Sequence, residues 1–200
     1  MARRSPSRAL LALAGLAAVA SHRAVTTQRS DRVDGLAGHL TRPLGPTADA
    51  AVGAFTDLGS VYGLAGTAAV LAATGRRRAA VDVLGAGGTA WVVAQAAKPL
   101  VERPRPYQDL QAARLVAEPA GSSWPSGHTA VAAAMGTVVS GQARSRTAGA
   151  ALGAGLAAFV GASRIYVGVH HPTDIVAGAG VGVLSAGAWN AVRRLVTRGR

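Results

Sequence analysis

Two hundred residues suit one domain or one compact helical bundle. Half of them are apolar and the mean hydropathy is +0.27, yet the formal net charge is +12. Aromatic residues make up only 4%, which argues against a soluble nucleic-acid binder with stacking aromatics, and the absence of cysteine excludes disulfides, zinc–thiolate sites and a cysteine nucleophile.

Taken in order, Arg3, Arg4 and Arg8 precede an apolar run of twelve residues, Ala9–Ala20. A basic front, a short run and Ala-Val-Ala before Ser21 fit a cleaved signal peptide, and twelve residues are short for a full span. The alternative, a short first helix that stays in the bundle, is preferred because a six-span topology needs it. Residues 21 to 47 are polar, with Pro43 and Pro46 marking a loop; Leu36, His39 and Leu40 suggest a short interfacial helix. His22 and His39 read as solvated surface histidines.

Five apolar stretches follow. Leu58 to Gly75 is uncharged, extends backward past Asp57 to about Ala51, and is closed by Arg76–Arg78. Ala79 to Ala97 is interrupted only by Asp82. Ser126 to Ala143 is followed by Arg144 and Arg146, Thr147 to Ser163 comes next, and Ile175 to Val192 precedes Arg193, Arg194, Arg198 and Arg200. Each is near the length that crosses a bilayer, and their Gly, Ala, Ser and Thr content lets helix backbones approach closely. If the runs alternate in direction, the arginine clusters share one side, cytoplasmic by the positive-inside tendency. The loops 98–125 and 163–174 then share the opposite, outer side.

Those two loops carry the chemistry. Lys98 is the single lysine beside twenty arginines, and with Arg105 it stands on the proline-stiffened stretch Lys98-Pro-Leu-Val-Glu-Arg-Pro-Arg-Pro106. Both cations can converge on one anion; Arg103 lies between them without an evident role. Trp124-Pro-Ser-Gly-His128 opens a helix, where free backbone N–H groups and the positive end of the dipole favour an anion. Ser126 can cap that helix and offer a hydroxyl, Gly127 admits a close ligand, and His128 lies within reach. Ser163-Arg-Ile-Tyr-Val-Gly-Val-His-His-Pro-Thr-Asp174 places Arg164 ahead of His170, with Asp174 four residues beyond it. A carboxylate that holds one imidazole nitrogen leaves the other free to act as nucleophile or base. Pro172 suits a helix first turn, so His170 belongs on a loop at the mouth of a helix.

In sequence the three stretches read K-x6-R-P, P-S-G-H and S-R-x5-H-x3-D, across roughly residues 98–174. In this the chain resembles the type 2 phosphatidic acid phosphatase (PAP2) family, membrane lipid phosphatases related to vanadium haloperoxidases and glucose-6-phosphatase. Lys98, Arg105, Pro106, Pro125, Ser126, Gly127, His128, Ser163, Arg164, His170 and Asp174 match every defining position. Trp124 departs, standing where a smaller or single-ring residue often precedes the motif, and is expected to alter the pocket lip.

The resemblance implies that His170 attacks phosphorus and becomes a phosphohistidine while Asp174 orients its ring. It implies that His128 protonates the leaving oxygen and then activates water. Lys98, Arg105, Arg164, Ser126 and Gly127 would hold the phosphoryl oxygens. His171 has no assigned catalytic part. No metal or other cofactor is expected.

The fold expected is an all-α, polytopic membrane bundle of about six helices with a PAP2/haloperoxidase-like core. Residues 1–50 would supply the first helix and an interfacial segment, and residues 51–200 the catalytic domain. A lipid phosphate and the surrounding membrane lipids are the expected partners, and nucleic acid is not. The rival readings are a polyprenyl diphosphate phosphatase and a non-catalytic binder of anionic lipid. Selectivity is expected to lie in Tyr107–Ser123 and in neighbouring helix faces.

Overall fold

In the computed structural model, which describes residues 5–35, 41, 43–110 and 112–198, the long apolar runs are helices. In chain order these are α1 (Arg8–Thr26), α2 (Asp31–Asp34), α3 (Pro46–Thr56), α4 (Val61–Ala73), α5 (Arg77–Ala97), α6 (Pro106–Asp109), α7 (Gly127–Ser140), α8 (Arg146–Tyr166) and α9 (Pro172–Arg198). Single 3-10 turns occupy Asp57–Gly59 and Lys98–Leu100, and the described residues hold no strand. The all-α bundle expected from the sequence is therefore the fold. Among the described residues, α2, α6 and the bent-off α3 are short elements beyond the six long runs. The suggested helix at Leu36, His39 and Leu40 falls outside the described residues.

At the centre stands α7. It is apolar on every side, as a helix surrounded by others must be, and residues Thr129–Gly136 are all buried. α5, α8 and α9 pack around it. Val83, Ala86, Ala90 and Ala94 of α5 meet Ala130, Val131, Ala134 and Met135 of α7 in one cluster, which Leu64 and Ala68 of α4 extend. Small residues set the spacing. A methyl group on Gly136 of α7 would lie 2.5 Å from the Gly153 carbonyl oxygen of α8, so the two helices cross backbone to backbone.

Outward faces carry Leu13, Leu16, Val70, Val81, Val92, Leu152, Val192 and Leu195, all exposed and apolar. α1, α5 with its 3-10 extension, α8 and α9 are each long and apolar enough to cross a membrane. α3 and α4 pass the same test together, bent by 69°. With α7, at 14 residues and roughly 21 Å, the protein is a multi-pass membrane protein with one short, enclosed helix.

Two expectations change. The run from about Ala51 to Gly75 is not one straight span, because the chain breaks at residues 57–60. Ser60 is extended there and its hydroxyl accepts from the Tyr62 and Gly63 amides, starting α4 afresh. Gly59 fits against α7 so closely that a methyl group on it would meet the His128 carbonyl oxygen at 2.5 Å. The break thus follows from packing against the first turn of α7. The first helix, for its part, is longer than its twelve-residue apolar core. α1 has 19 residues and lies along α9, where a methyl group on Gly180 would meet the Ala14 carbonyl oxygen at 2.5 Å.

The close α7–α8 crossing has a measurable consequence. Gly136→Val should force the helices apart and lower the unfolding free energy by about 1–3 kcal/mol, the usual penalty for overpacking. Thermal unfolding of the detergent-solubilised variant checks this.

Candidate active site

Alternation of the helices brings four chain segments to one end of the bundle. They are the turn after α5, the start of α7, the end of α8 with the loop into α9, and the break between α3 and α4. The α8–α9 loop depends on Gly168. At φ +76° it is left-handed, and the Gly168 and Val169 amides donate back to the Ile165 and Arg164 carbonyls. This is the glycine C-cap that ends a helix by satisfying its last carbonyls, and here it turns the chain so that His170 comes back under Arg164. Pro172 then opens α9, as expected.

A cavity of about 330 Å³ lies at this end, lined among others by Lys98, Arg105, Gly127, His128, Arg164 and His170. Six of the eight site residues expected from the sequence are therefore on its wall. Asp174 and Ser126 stand behind it. Asp174, fully buried, has Oδ2 3.4 Å from His170 Nδ1. The buried Ser126 hydroxyl caps α7, accepting from the Thr129 amide at 3.4 Å and the Thr129 hydroxyl at 2.9 Å. Gly127 is open to the cavity: a methyl group there would meet only Gln95 Oε1, at 3.8 Å.

The cations differ in how far they are already engaged. Arg105 donates from Nη1 to the Val169 carbonyl at 2.8 Å and from Nη2 to the carbonyls of Ala120, Gly121 and Ser122 at 3.1–3.2 Å. Burial pushes its guanidinium below the ordinary value, while Tyr107, Asp174 and Glu118 pull it back up. Lys98 Nζ donates to the Ser122 carbonyl at 2.6 Å. Arg164 has a long contact of 3.4 Å to Thr56 Oγ1, and its buried Nε has no partner. Arg105 and Lys98 thus hold the 120–122 loop as well as face the cavity, whereas the Arg164 contact to Thr56 is a long one; Arg105 Nε, like Arg164 Nε, is buried without a partner.

His170 is 3% exposed. Burial pushes its imidazole down to about 3; Asp174 opposes that shift, and Arg164 and Arg105 add to it. The ring is neutral at pH 7, and its buried Nδ1 faces the Asp174 carboxylate at 3.4 Å without a hydrogen bond.

Several residues that hold this arrangement were missed in the sequence. Arg103 Nη1 donates to Asp174 Oδ1 and to Thr173 Oγ1, both at 2.7 Å, and Nη2 reaches Asp34 Oδ2 on α2 at 2.5 Å. The Ser123 hydroxyl donates to Asp174 Oδ2 at 2.5 Å, as does the His171 amide at 2.8 Å. His171 itself is buried, its Nε2 3.2 Å from the Pro104 carbonyl oxygen. Asp34, in what read as a polar loop, also accepts from the Thr173 amide at 3.1 Å. Only proximity in the fold reveals these roles, although an arginine flanked by two motif residues was a signal that could have been followed.

Trp124 does not form the pocket lip. Its ring turns toward α1, donating from Nε1 to Ser21 Oγ at 3.1 Å and packing edge-on against His22 at 5.3 Å. Ser21 in turn donates to the Thr173 carbonyl at 2.7 Å. His22 is therefore a packing partner and not a free surface histidine.

A helical membrane bundle with histidines and cations gathered at one end of four apolar helices defines a class, and the comparisons agree with it. The model of the PAP2 superfamily matches residues 79–198, and the chain belongs to that superfamily. It is a phosphoric monoester hydrolase of the PAP2 type and, in broad terms, a membrane lipid phosphatase. Its fold is similar to that of the first transmembrane PAP2 type phosphatidylglycerolphosphate phosphatase from Bacillus subtilis, with 24% identity over 96% of this chain and 98% of that one and a TM-score of 0.70. Aquifex aeolicus LpxE is also similar, with 28% identity over 78% of this chain and 93% of that one and a TM-score of 0.66. No curated protein matches the chain.

Two outcomes follow. Arg103→Met strands the buried Asp34 and Asp174 carboxylates and should cost about 3–5 kcal/mol of stability, read by thermal unfolding in detergent. His170 has a folded-state value near 3, below the ordinary 6.5, so its contribution to stability is complete above about pH 6.5 and is lost as pH falls toward 3. Its ring signal in a histidine NMR titration should therefore stay neutral down to pH 5, in contrast to an exposed histidine.

Proposed function

We propose that this protein hydrolyses the phosphomonoester of a lipid or polyprenyl-linked substrate through a phosphohistidine on His170. The observation that carries this reading is the His170–Asp174 pair at 3.4 Å, with the ring on the wall of a cavity shared with His128 and three cations. Nδ1 faces Asp174, which leaves Nε2 as the atom to attack phosphorus. As the N–P bond forms, the P–O bond to the lipid alcohol breaks, and His128 gives its proton to the departing oxygen. Water then attacks phosphorus, His128 takes its proton, and the N–P bond breaks to release phosphate.

Lys98, Arg105 and Arg164, together with the Gly127 amide and the Ser126 hydroxyl, hold the phosphoryl oxygens and offset the charge spread over them in the transition state. Arg164 has the donor capacity most readily given to a ligand. Ser126, behind the cavity, contributes by shaping the first turn of α7.

The catalytic unit is residues 51–200, and residues 1–50 brace it through Ser21 and Asp34. The site opens at the extracytoplasmic face of the cell membrane. This orientation is supported by the arginines at 76–78, 144–146 and 193–198, which lie at the other end of the helices. A lipid phosphate fits that setting, since its headgroup lies at the depth of the cavity while its chains stay among the exposed apolar faces.

Phosphate release by purified protein against a panel of lipid monophosphates and polyprenyl mono- and diphosphates, with chelator present, tests the reading. Turnover should survive chelation and fall at least about 10³-fold in His170→Ala. A ³²P-labelled intermediate should be trapped on the wild-type protein by rapid base quench, and not on His170→Ala. Full turnover in that variant would sink the mechanism, and preference for a diphosphate would shift the substrate to the polyprenyl class.

A further inference from the structure

Three known motif stretches do not complete the cavity. The break between α3 and α4, Thr56 to Ser60, forms part of its wall, with Asp57, Gly59 and Ser60 all lining it. This segment is tied to the others by named contacts. Thr56 Oγ1 is hydrogen-bonded to Ser163 Oγ at 2.8 Å and receives the long contact from Arg164 Nη1. Ser60 Oγ donates to the Asp57 carbonyl at 2.7 Å, closing the turn on itself. Gly59 rests on the His128 carbonyl oxygen with no room for a side chain. The turn is thus held over the first turn of α7, and its position is set by backbone contact.

That placement brings the Asp57 carboxylate to His128. Oδ1 lies 3.6 Å from Nε2, with the Asp57 side chain 66% exposed toward the cavity mouth and the His128 side chain 28% exposed. The other charged or titratable groups around the ring are Lys98, Arg105, Arg164 and His170. Asp174 is the second carboxylate of the site, but it is committed to His170, Arg103 and Ser123. Asp57 is therefore the acidic group that faces His128 among three cations.

We propose that Asp57 is a positioning residue for His128, holding Nε2–H so that Nδ1 exchanges the proton with the leaving oxygen and then with water. The site would contain two imidazole–carboxylate pairs, His170–Asp174 for the nucleophile and His128–Asp57 for the acid. This rests on the mechanism proposed above. The two pairs differ as their tasks require. Asp174 is buried and hydrogen-bonded on both oxygens, which fixes the carboxylate beside His170. Asp57 is open to solvent at a longer distance, so it can follow the His128 ring as it loses and regains a proton. Cations repel a proton on an imidazole and a carboxylate attracts it, so Asp57 offsets part of the field of Lys98, Arg105 and Arg164. Asp57 also interacts with Arg164, so a role in phosphate binding is the competing outcome.

Leaving-group dependence separates the two. Two phosphomonoesters with the same long chain are compared, one an alkyl ester and the other a nitrophenyl ester whose leaving group needs no acid. kcat/KM is measured because it reports the step that breaks the ester bond. Asp57→Asn, nearly isosteric and at an exposed position, should lower kcat/KM for the alkyl ester by about tenfold or more, within the range of general-acid effects. The nitrophenyl ester should change less than about threefold. The alkaline limb of the alkyl-ester profile should move down by about one pH unit, and Asp57→Glu should recover part of the loss. Equal losses on both esters with an unmoved limb would assign Asp57 to phosphate binding or to folding and overturn the proposal. Unchanged kinetics on both would overturn it as well. If wild-type protein turned over neither ester, or if His128→Ala kept full alkyl-ester activity, the underlying mechanism would fall and the proposal with it.

Discussion

Asp174 is a fully buried carboxylate at the start of α9, and a buried charge of that kind is tolerated only when its oxygens are hydrogen-bonded and its charge is matched. Arg103, Ser123 and the His171 amide meet that requirement, each from a different part of the chain or loop. Arg103 carries the constraint further, to Asp34 on α2, and Asp34 returns it to Thr173. One charge therefore ties together α2, Arg103, Ser123 and the α8–α9 turn. His170 inherits its orientation from that network.

Around this anchor the bundle is built for close approach. α7 lacks a polar face and is covered on all sides, and glycines at its crossings let α8 and α9 come within backbone contact. The first turn of the short α7 puts Gly127 and His128 on the cavity wall beside the other motifs. A lipid phosphatase needs a polar, cation-lined recess within a body whose outer faces suit hydrocarbon.

The residues proposed to carry the chemistry were legible because each motif states its own local chemistry: a proline-stiffened pair of cations, a helix mouth with a histidine, a histidine followed four residues on by a carboxylate. Arginine placement was enough to put the motif loops at one end. Arg103, Ser123, Asp34 and Asp57 were not legible. Each lies far in sequence from its partner or in a segment of mixed polarity, and no periodicity marks a residue whose role is to touch another across the fold. Trp124 misled for the same reason. Adjacency to the motif suggested the pocket, but its indole N–H needs a partner when buried and finds Ser21 on α1.

Hydropathy and turn chemistry, both local properties, determined that this chain is a multi-pass helical bundle, where α5, α8 and α9 run, and which residue types gather at one end. Tertiary packing decided that the run through Ala51–Gly75 breaks before Ser60, where Gly59 sits against the His128 carbonyl of α7 with no room for a side chain. It also decided that Asp174 is shared among three donors and that Asp57 faces His128. Such pairings depend on how four separate helix ends meet in space, and that is set by the shapes of the whole bundle and not by any stretch within it.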